Sequence, residues 1–248
     1  MKLFGIAGLG AALLAAVGVT LVPTQAAPLG SPDRALQSVA ATRVVFGHQS
    51  VGWNILDGME RLYSTRGVPA PRMVDGAAAL PLTGRGFAQE EIGVNGDPRS
   101  KFTAFAVALD SGRSVDVAVM KLCFVDIVAG ADVNGIFTAY RRMIEDLSAR
   151  HPEVTFVHMT VPLTTNDAAS NTARQRYNQL IRAEYSGRVF DLARIESTRP
   201  NGSRVTGVNS GTRYYALYRG YAADDGHLNA RGSLQAARGF VRALAAAA

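Results

Sequence analysis

Val115-Asp116-Val117-Ala118-Val119-Met120-Lys121-Leu122-Cys123 is the stretch of sequence that decides the fold class. It is apolar at every position except Asp116 and Lys121. Continuous apolar runs are typical of parallel strands that are covered on both faces, whereas a strand with one solvated face alternates apolar and polar residues. Residues 115–123 are therefore predicted to form a strand of a buried, parallel sheet.

Strands and helices alternate on both sides of this stretch. Shorter β-rich or apolar runs predict four more strands, at residues 43–47, 72–74, 154–161 and 188–192. Apolar residues at helical spacing predict five helices, at about residues 51–66, 98–109, 136–147, 177–185 and 234–244. This order predicts an α/β fold in three layers, with a doubly wound, mostly parallel five-stranded sheet between two layers of helices. Residues 196–221 show no clear period and are expected to be irregular.

The first 26 residues have the features of a signal peptide. Met1-Lys2 gives a positive start, an uncharged stretch runs from Leu3 to Val22, and small residues stand at a plausible cleavage site after Ala26. The sequence therefore predicts a secreted or periplasmic protein with a single domain over residues 27–248. An uncleaved N-terminal membrane anchor is the alternative, because roughly 20 apolar residues can span a bilayer.

Composition and short motifs exclude several classes of function. The 26 Lys and Arg residues against 20 Asp and Glu give a net charge of +6, but the basic residues are scattered. No basic stripe with interleaved aromatic residues appears, so a nucleic-acid partner is not expected. The single cysteine, Cys123, excludes an intrachain disulfide and a multi-cysteine zinc site. No nucleotide-binding or metal-binding motif is present, and neither a metal nor another cofactor is expected.

Ser50 follows the first predicted strand in the element Gly47-His48-Gln49-Ser50. In doubly wound sheets, ligands bind outside the carboxyl ends of the strands. At the turn into the first helix, free backbone N–H groups favour negative charge. Ser50 could therefore be a nucleophile stabilised by that helix end, or simply the N-cap of the helix. Position alone favours the N-cap.

A second polar element, Asp224-Asp225-Gly226-His227, precedes the last predicted helix. A carboxylate three residues before a histidine can turn back onto the imidazole and fix its tautomer, so that the other ring nitrogen acts as a base. The alternative is an acidic turn with an exposed histidine. In isolation the DxxH pattern favours this alternative.

Together, the two elements resemble the SGNH (GDSL-type) serine hydrolases. The resemblance extends over nearly all of residues 27–248 and implies Ser50 as nucleophile, His227 as general base and acid, and Asp224 as the orienting carboxylate. The serine of the family's usual Gly-Asp-Ser motif is matched, but Gln49 replaces the aspartate before it. The GHQSVG element is similar to that of a bacterial subgroup of SGNH-type proteins.

The same resemblance implies an oxyanion hole with three donors. They are the serine N–H of Ser50, a glycine N–H after the second strand and an asparagine amide after the third. The glycine candidates are Gly96, which we expect to serve, and its rivals Gly84 and Gly86. The family's asparagine would fall at Val125, so the motif is not matched there, and Asn95 is a candidate replacement for its amide.

Lys121 is unusual because an ammonium group within an apolar strand is costly without a partner. It either forms a buried ion pair with Asp126, Asp75 or Asp191, or points into the crevice and polarises a substrate oxygen. The candidates for substrate contact are His48, Gln49, Lys121 and Asp126. Cys123 is expected to be a small buried hydrophobic residue.

The resemblance implies an exported serine esterase that hydrolyses carboxylic esters through an acyl-enzyme and needs no cofactor. O-acetyl groups on a polysaccharide, short-chain lipid esters and aryl esters are all candidate substrates. Two alternatives remain open: a transacylase that passes the acyl group to an envelope glycan, and a non-catalytic envelope- or carbohydrate-binding protein on the same scaffold.

Overall fold

The computed structural model describes residues 32–80, 84–111 and 114–248, and the segment predicted as a signal peptide lies outside these ranges. The described helices are α1 (Pro32–Ala40), α2 (Val51–Arg66), α3 (Pro98–Ser111), α4 (Val133–Arg150), α5 (Ala168–Glu184), α6 (Leu192–Ser197) and α7 (Ala230–Ala247). The described strands are β1 (Arg43–His48), β2 (Met73–Asp75), β3 (Gly86–Glu91), β4 (Val117–Met120), β5 (Thr155–Met159), β6 (Val189–Phe190), β7 (Thr206–Asn209) and β8 (Thr212–Tyr215).

Strands β1 to β6 form one parallel sheet in the order β2-β3-β1-β4-β5-β6. The predicted three-layer α/β fold is confirmed, but the sheet of the described residues has six strands and not five. The additional strand is β3, which pairs with β1 along its whole length. Strands β2 and β3, which follow β1 in the chain, lie on one side of it, and strands β4, β5 and β6 lie on the other side. This reversal opens a crevice at the carboxyl end of β1.

Two layers of helices cover the sheet and bury its apolar side chains. Helices α1, α2, α6 and α7 pack on one face, and α3, α4 and α5 pack on the other. Strand β4 is buried at all four positions, as expected of a strand covered on both faces. The helix predicted over about 51–66 is α2, which ends before Gly67, a left-handed C-cap.

The stretch 196–221 is more regular than predicted. It contains the antiparallel hairpin of β7 and β8, so the expectation of an irregular excursion is wrong for these residues. The Arg204 guanidinium lies 3.9 Å from the centre of the half-buried Tyr215 ring. Tyr221 is buried against the core of α7 and β1. Among the described residues, no helix has the length and apolar character needed to cross a membrane.

Candidate active site

Ser50 lies at the carboxyl end of β1, where the chain turns sharply into α2. Its backbone adopts φ 54° and ψ −113°, a conformation that residues with a side chain rarely occupy. The Ser50 side chain makes no hydrogen bond to the first turn of α2. The structure therefore gives no support to the N-cap interpretation of this serine, and the turn presents its hydroxyl to the crevice.

The Ser50 hydroxyl instead points at His227. Ser50 Oγ lies 2.6 Å from His227 Nε2, and His227 Nδ1 lies 2.8 Å from Asp224 Oδ2. Because a carboxylate can only accept, this contact places the ring proton on Nδ1 and leaves Nε2 free to accept from the serine. Residues 177 positions apart in the chain thus form one hydrogen-bonded line. This arrangement matches a nucleophile, a base and an orienting carboxylate.

Asp224 is held in place by its own turn. Its Oδ1 accepts the backbone N–H groups of Gly226 and His227, at 2.8 and 2.7 Å. These bonds lower the pKa of Asp224 to about 2, with a further contribution from the imidazole. The carboxylate is therefore charged at any pH near neutrality, although it is largely exposed to solvent.

Asp225, the neighbouring carboxylate, turns away from the histidine. It accepts a hydrogen bond from the Thr165 hydroxyl at 2.7 Å, and its carbonyl accepts from the Thr165 N–H at 2.9 Å. Asp225 therefore connects residues 223–229, here called the histidine loop, to the loop that follows β5. The side chain of Asn229 caps α7 instead of either aspartate.

The aromatic ring of Phe124 packs against the histidine loop. The edge of Phe124 meets the His227 ring at 5.6 Å between centroids. Gly226 permits this approach, because a Cβ there would lie 2.5 Å from the Phe124 ring. The buried Arg174 donates to the Phe124 carbonyl at 2.9 Å and so fixes the segment that carries the ring. Burial lowers the pKa of Arg174 to about 10.

A buried ion pair anchors the loop that follows β3. Lys101 Nζ donates to Asp126 Oδ2 at 2.6 Å, and both side chains are fully buried. Lys101 Nζ also donates to Asn95 Oδ1 at 2.8 Å. Because an ammonium only donates, the atom of Asn95 that faces Lys101 must be the amide oxygen. The NH₂ group of Asn95 therefore points away from Lys101.

Gln49 connects the same loop to the serine turn. Its Nε2 donates to the carbonyls of Ile92 and Gly93, at 3.0 and 2.6 Å. The loop that follows β3 is thus held beside Ser50. The sequence predicted Gln49 as a substrate contact, and the structure shows it half-buried with its amide nitrogen already engaged by the protein.

The glycine expected to contribute to an oxyanion hole is not available. The N–H of Gly96 donates to Asp126 Oδ1 at 2.8 Å, so the prediction that this N–H stabilises an oxyanion is wrong. The rival Gly86 pairs with Arg43 at the amino end of its strand, away from the crevice. The third candidate, Gly84, precedes β3 and also lies on the amino side of that strand.

Two of the residues expected to contact substrate, His48 and Asp126, lie inside the protein. His48 is fully buried and stacks on Phe46 at 4.6 Å, and burial next to the charge of Lys121 lowers its pKa to about 3. Asp126 is 3% exposed and binds internal groups, including the N–H of Cys123 at 2.5 Å. These positions correct the expectation that His48 and Asp126 touch substrate.

Lys121 forms neither the buried ion pair nor the contact with the crevice that the sequence suggested. Its side chain is fully buried, and Nζ lies 3.1 Å from Cys123 Sγ and 3.3 Å from the Leu122 carbonyl. It reaches neither a carboxylate nor the crevice, because Lys101 occupies the place beside Asp126. Burial lowers the pKa of Lys121 accordingly. Cys123 is buried, as expected.

Several residues of the site have no signal in the sequence. Lys101 lies in the first turn of α3, where a lysine normally faces water, and no spacing rule pairs it with Asp126. Asn54 accepts the N–H of Leu228 at 3.0 Å and so joins α2 to the histidine loop across 174 positions. Among the described residues, no group of three or more His, Cys, Asp or Glu side chains could hold a metal ion.

Comparison with known proteins gives matches in structure only. No family model matches the sequence, and no curated protein matches it. A GDSL-like lipase from Bacteroides thetaiotaomicron superposes with a TM-score of 0.50 and 13% identity, over 77% of this chain and 82% of the lipase. This likeness agrees with the doubly wound fold.

Two further solved structures resemble the chain more weakly. A proposed acylhydrolase from Bacteroides fragilis has a TM-score of 0.48 and 14% identity, over 77% of this chain and 80% of its own. A carbohydrate esterase of family 3 from Talaromyces cellulolyticus has a TM-score of 0.44 and 12% identity, over 82% of this chain and 94% of its own. At such identities a structural likeness concerns the fold alone. The α/β, mostly parallel fold is thus the feature that this chain shares with a GDSL-like lipase.

Proposed function

We propose that this protein is a serine esterase of the SGNH type that hydrolyses carboxylic esters through an acyl-enzyme. The observation that carries the proposal is the line from Ser50 Oγ through His227 to Asp224, with contacts of 2.6 and 2.8 Å. It lies at the carboxyl edge of the sheet, where α/β folds bind their ligands. The resemblance of the serine and DxxH elements to the SGNH family supports the same roles.

The order of the hydrogen bonds defines the chemistry of each step. His227 Nε2 takes the proton of Ser50 as Oγ attacks the ester carbonyl, and the imidazolium then gives this proton to the departing alcohol. A water molecule attacks the acyl-enzyme in the second half of the reaction, with the same histidine as base. Asp224 stabilises the imidazolium in both halves and keeps its charge throughout, because its pKa is held at about 2.

The oxyanion is stabilised by the N–H of Ser50 and by the amide of Asn95 in this proposal. The first N–H groups of α2 have no partners within the helix, and the helix end favours negative charge. The contact with Lys101 orients Asn95 so that its NH₂ group is the free end. Asn95 thus replaces the amide that the family pattern expects at Val125.

We further propose that the enzyme is exported, with residues 1–26 as its signal peptide, and that it acts on ester groups in the cell envelope or outside the cell. The triad supports an accessible substrate, since Ser50 and His227 are part-exposed and Asp224 is exposed. An O-acetyl group on a polysaccharide fits such an open crevice.

Labelling with a fluorophosphonate probe tests the proposed nucleophile. The expected result is one label per chain, located on Ser50 by mass spectrometry, and no label on the Ser50→Ala variant. The same samples should hydrolyse p-nitrophenyl acetate only when Ser50 is present. If folded wild-type protein takes up no label, the chain is a binding protein on this scaffold and the proposal is wrong.

A further inference from the structure

A long groove runs along the outer face of α7, between this helix and the β6–α6 edge of the sheet. Its volume is about 790 Å³, and its walls include none of the triad residues. Arg231 in the first turn of α7 and Ala246 near its end both line the groove. At a rise of ~1.5 Å per residue, the fifteen steps between these two residues extend over roughly 22 Å, which is far more than a single small anion needs.

Arginine is the most frequent residue type in the walls of this groove. Five of them line it, of which Arg199 is half-buried and the other four are exposed: Arg188, Arg194, Arg231 and Arg242. Within the described ranges, none of the five forms an ion pair with a carboxylate. The one acidic residue of the lining, Asp191, is already bound by Arg182 at 2.7 and 2.8 Å. The groove is therefore a concave surface with a net positive charge, and its arginines form no ion pair with a carboxylate among the described residues.

The side chains that line the groove fit some classes of polyanion better than others. Guanidinium groups bind carboxylates through two parallel hydrogen bonds. Single-stranded nucleic acids require exposed aromatic rings for stacking, but Phe190 and Tyr221, the aromatic residues of this lining, are buried. An anionic membrane surface favours a convex face with apolar side chains that insert, whereas this surface is concave.

We propose that the groove binds a linear polysaccharide that carries carboxylates. The end of the groove at Arg231 is four residues beyond His227 in the chain, so a polymer lying along α7 approaches the triad at that end. The proposal that a polymer binds along α7 depends only on the observed groove and its arginines. The corollary, that the ester substrate is an acidic polysaccharide, rests on the proposed function.

Binding is tested with the full chain carrying Ser50→Ala, so that no turnover takes place. Polygalacturonate is titrated by calorimetry at low and at high salt, with neutral dextran as the uncharged control. The expected result is binding of polygalacturonate that weakens as salt screens the charges, and none of dextran. Inorganic polyphosphate and vesicles of phosphatidylglycerol are titrated in parallel. Tighter binding of either one, or no binding of polygalacturonate, overturns the proposal.

A charge-reversal pair locates the bound polymer. Arg194→Glu with Arg242→Glu removes two exposed groove arginines, and Arg142→Glu with Arg213→Glu makes the same change in net charge on exposed surface outside the groove. We expect the groove variant to bind roughly a hundredfold more weakly, since each charged hydrogen bond contributes about tenfold. The control variant should lose severalfold at most. Equal losses in the two variants would show that net charge alone attracts the polymer, and would refute the site.

Hydrolysis of p-nitrophenyl acetate by the groove variant separates this inference from the proposed function. With Ser50 intact, the variant should keep wild-type turnover of this small ester, because its changed residues lie outside the triad. If the groove binds polygalacturonate while the wild-type protein hydrolyses no ester, the binding site stands and the esterase proposal fails. If hydrolysis is present and the groove does not bind, only this inference fails.

Discussion

Ser50 combines a hydroxyl aimed at His227 with a backbone that a side chain disfavours. Residues held in such regions cost roughly 1–3 kcal/mol each. Glycine adopts positive φ readily, so we expect Ser50→Gly to be more stable than Ser50→Ala by about 1 kcal/mol. Both variants lack Oγ, and both should lose at least ~10⁴-fold in ester hydrolysis. Urea denaturation of the pair measures the difference, and equal stabilities would show that the turn stores no strain.

Asp224 and Asp225 provide a matched test of the third triad member. In Asp224→Asn the amide oxygen stays with the backbone N–H groups of Gly226 and His227, so a donating NH₂ group faces Nδ1 and disfavours the catalytic tautomer. Turnover should therefore fall by between about tenfold and 10⁴-fold, the larger figure being typical of a buried triad carboxylate. Asp225→Asn changes contacts with Thr165 and Asn166 but none with His227, and should stay within about threefold of wild type. Turnover of one activated ester by both folded variants decides this. A larger loss in Asp225→Asn would show that the orienting carboxylate is Asp225 and that its assignment to Asp224 is wrong.

Asn95 tests the origin of the oxyanion stabilisation. Loss of one oxyanion donor typically lowers kcat by about 10²–10³-fold. We expect Asn95→Ala to show this loss with little change in KM. It should melt somewhat below wild type, because the buried Lys101 ammonium loses one acceptor and keeps Asp126. Val94→Ala, a change at a 64% exposed neighbour in the same loop, serves as control. An unchanged kcat in Asn95→Ala would remove this amide from the proposed mechanism.

The residues of the proposed triad were predicted from the resemblance of two short elements taken together, because each element alone favoured a structural role. Ser50 comes directly after an apolar strand, and Asp224 and His227 share one short turn. The groups that support them could not be found in this way. Lys101 and Asp126 are 25 positions apart, and Asn54 contacts a residue 174 positions away, so only the folded chain brings them together.

At the scale of elements, the accuracy of prediction followed the length of the apolar pattern. Helix α2 was predicted with its observed ends, because one face is apolar through four turns. Strand β3 was missed, since only Phe87 and Ala88 are apolar in Gly86–Glu91 and its polar end lies at the crevice. The short helix α6 was not predicted: the strand expected at 188–192 ends on its first residue, and six residues give too little periodicity to identify a helix.

The packing of α2 on α7 positions Ser50 against His227, because α2 begins after the serine and α7 begins after the histidine. Gly58 lets the two helices meet, since a Cβ there would lie 2.2 Å from the Ser233 carbonyl oxygen. We expect Gly58→Ala to lower the free energy of unfolding by about 1–3 kcal/mol through overpacking, despite alanine's higher helix propensity. Ser64→Ala, on the exposed face of α2, should be neutral or slightly stabilising. Thermal melts compare the two, and a stabilised Gly58→Ala would contradict the close contact.

For the molecule as a whole, the buried charges link stability to pH. Glu196 is 1% exposed, and its Oε2 accepts the N–H of Leu163 at 2.7 Å. Burial raises the pKa of this carboxyl to about 8, although that hydrogen bond and the charges of Lys121 and Arg174 oppose the rise. The folded protein therefore keeps a proton on Glu196 that the unfolded chain releases above its ordinary pKa of 4.5.

This difference fixes the sign of the expected pH dependence. Because the folded pKa is the higher one, the stability from protonated Glu196 is complete below about pH 4.5 and is lost as pH rises through 8. Glu196→Gln keeps an acceptor for Leu163 and cannot ionise, so its stability relative to wild type should increase by a few kcal/mol from pH 5 to pH 9, at ~1.4 kcal/mol per unit of pKa shift. Lys121 and Arg174, whose charges act on Glu196, are present in both proteins, so the comparison largely isolates Glu196. Urea unfolding at pH 5, 7 and 9 gives the three differences, and a constant difference would mean that Glu196 is ionised in the folded protein.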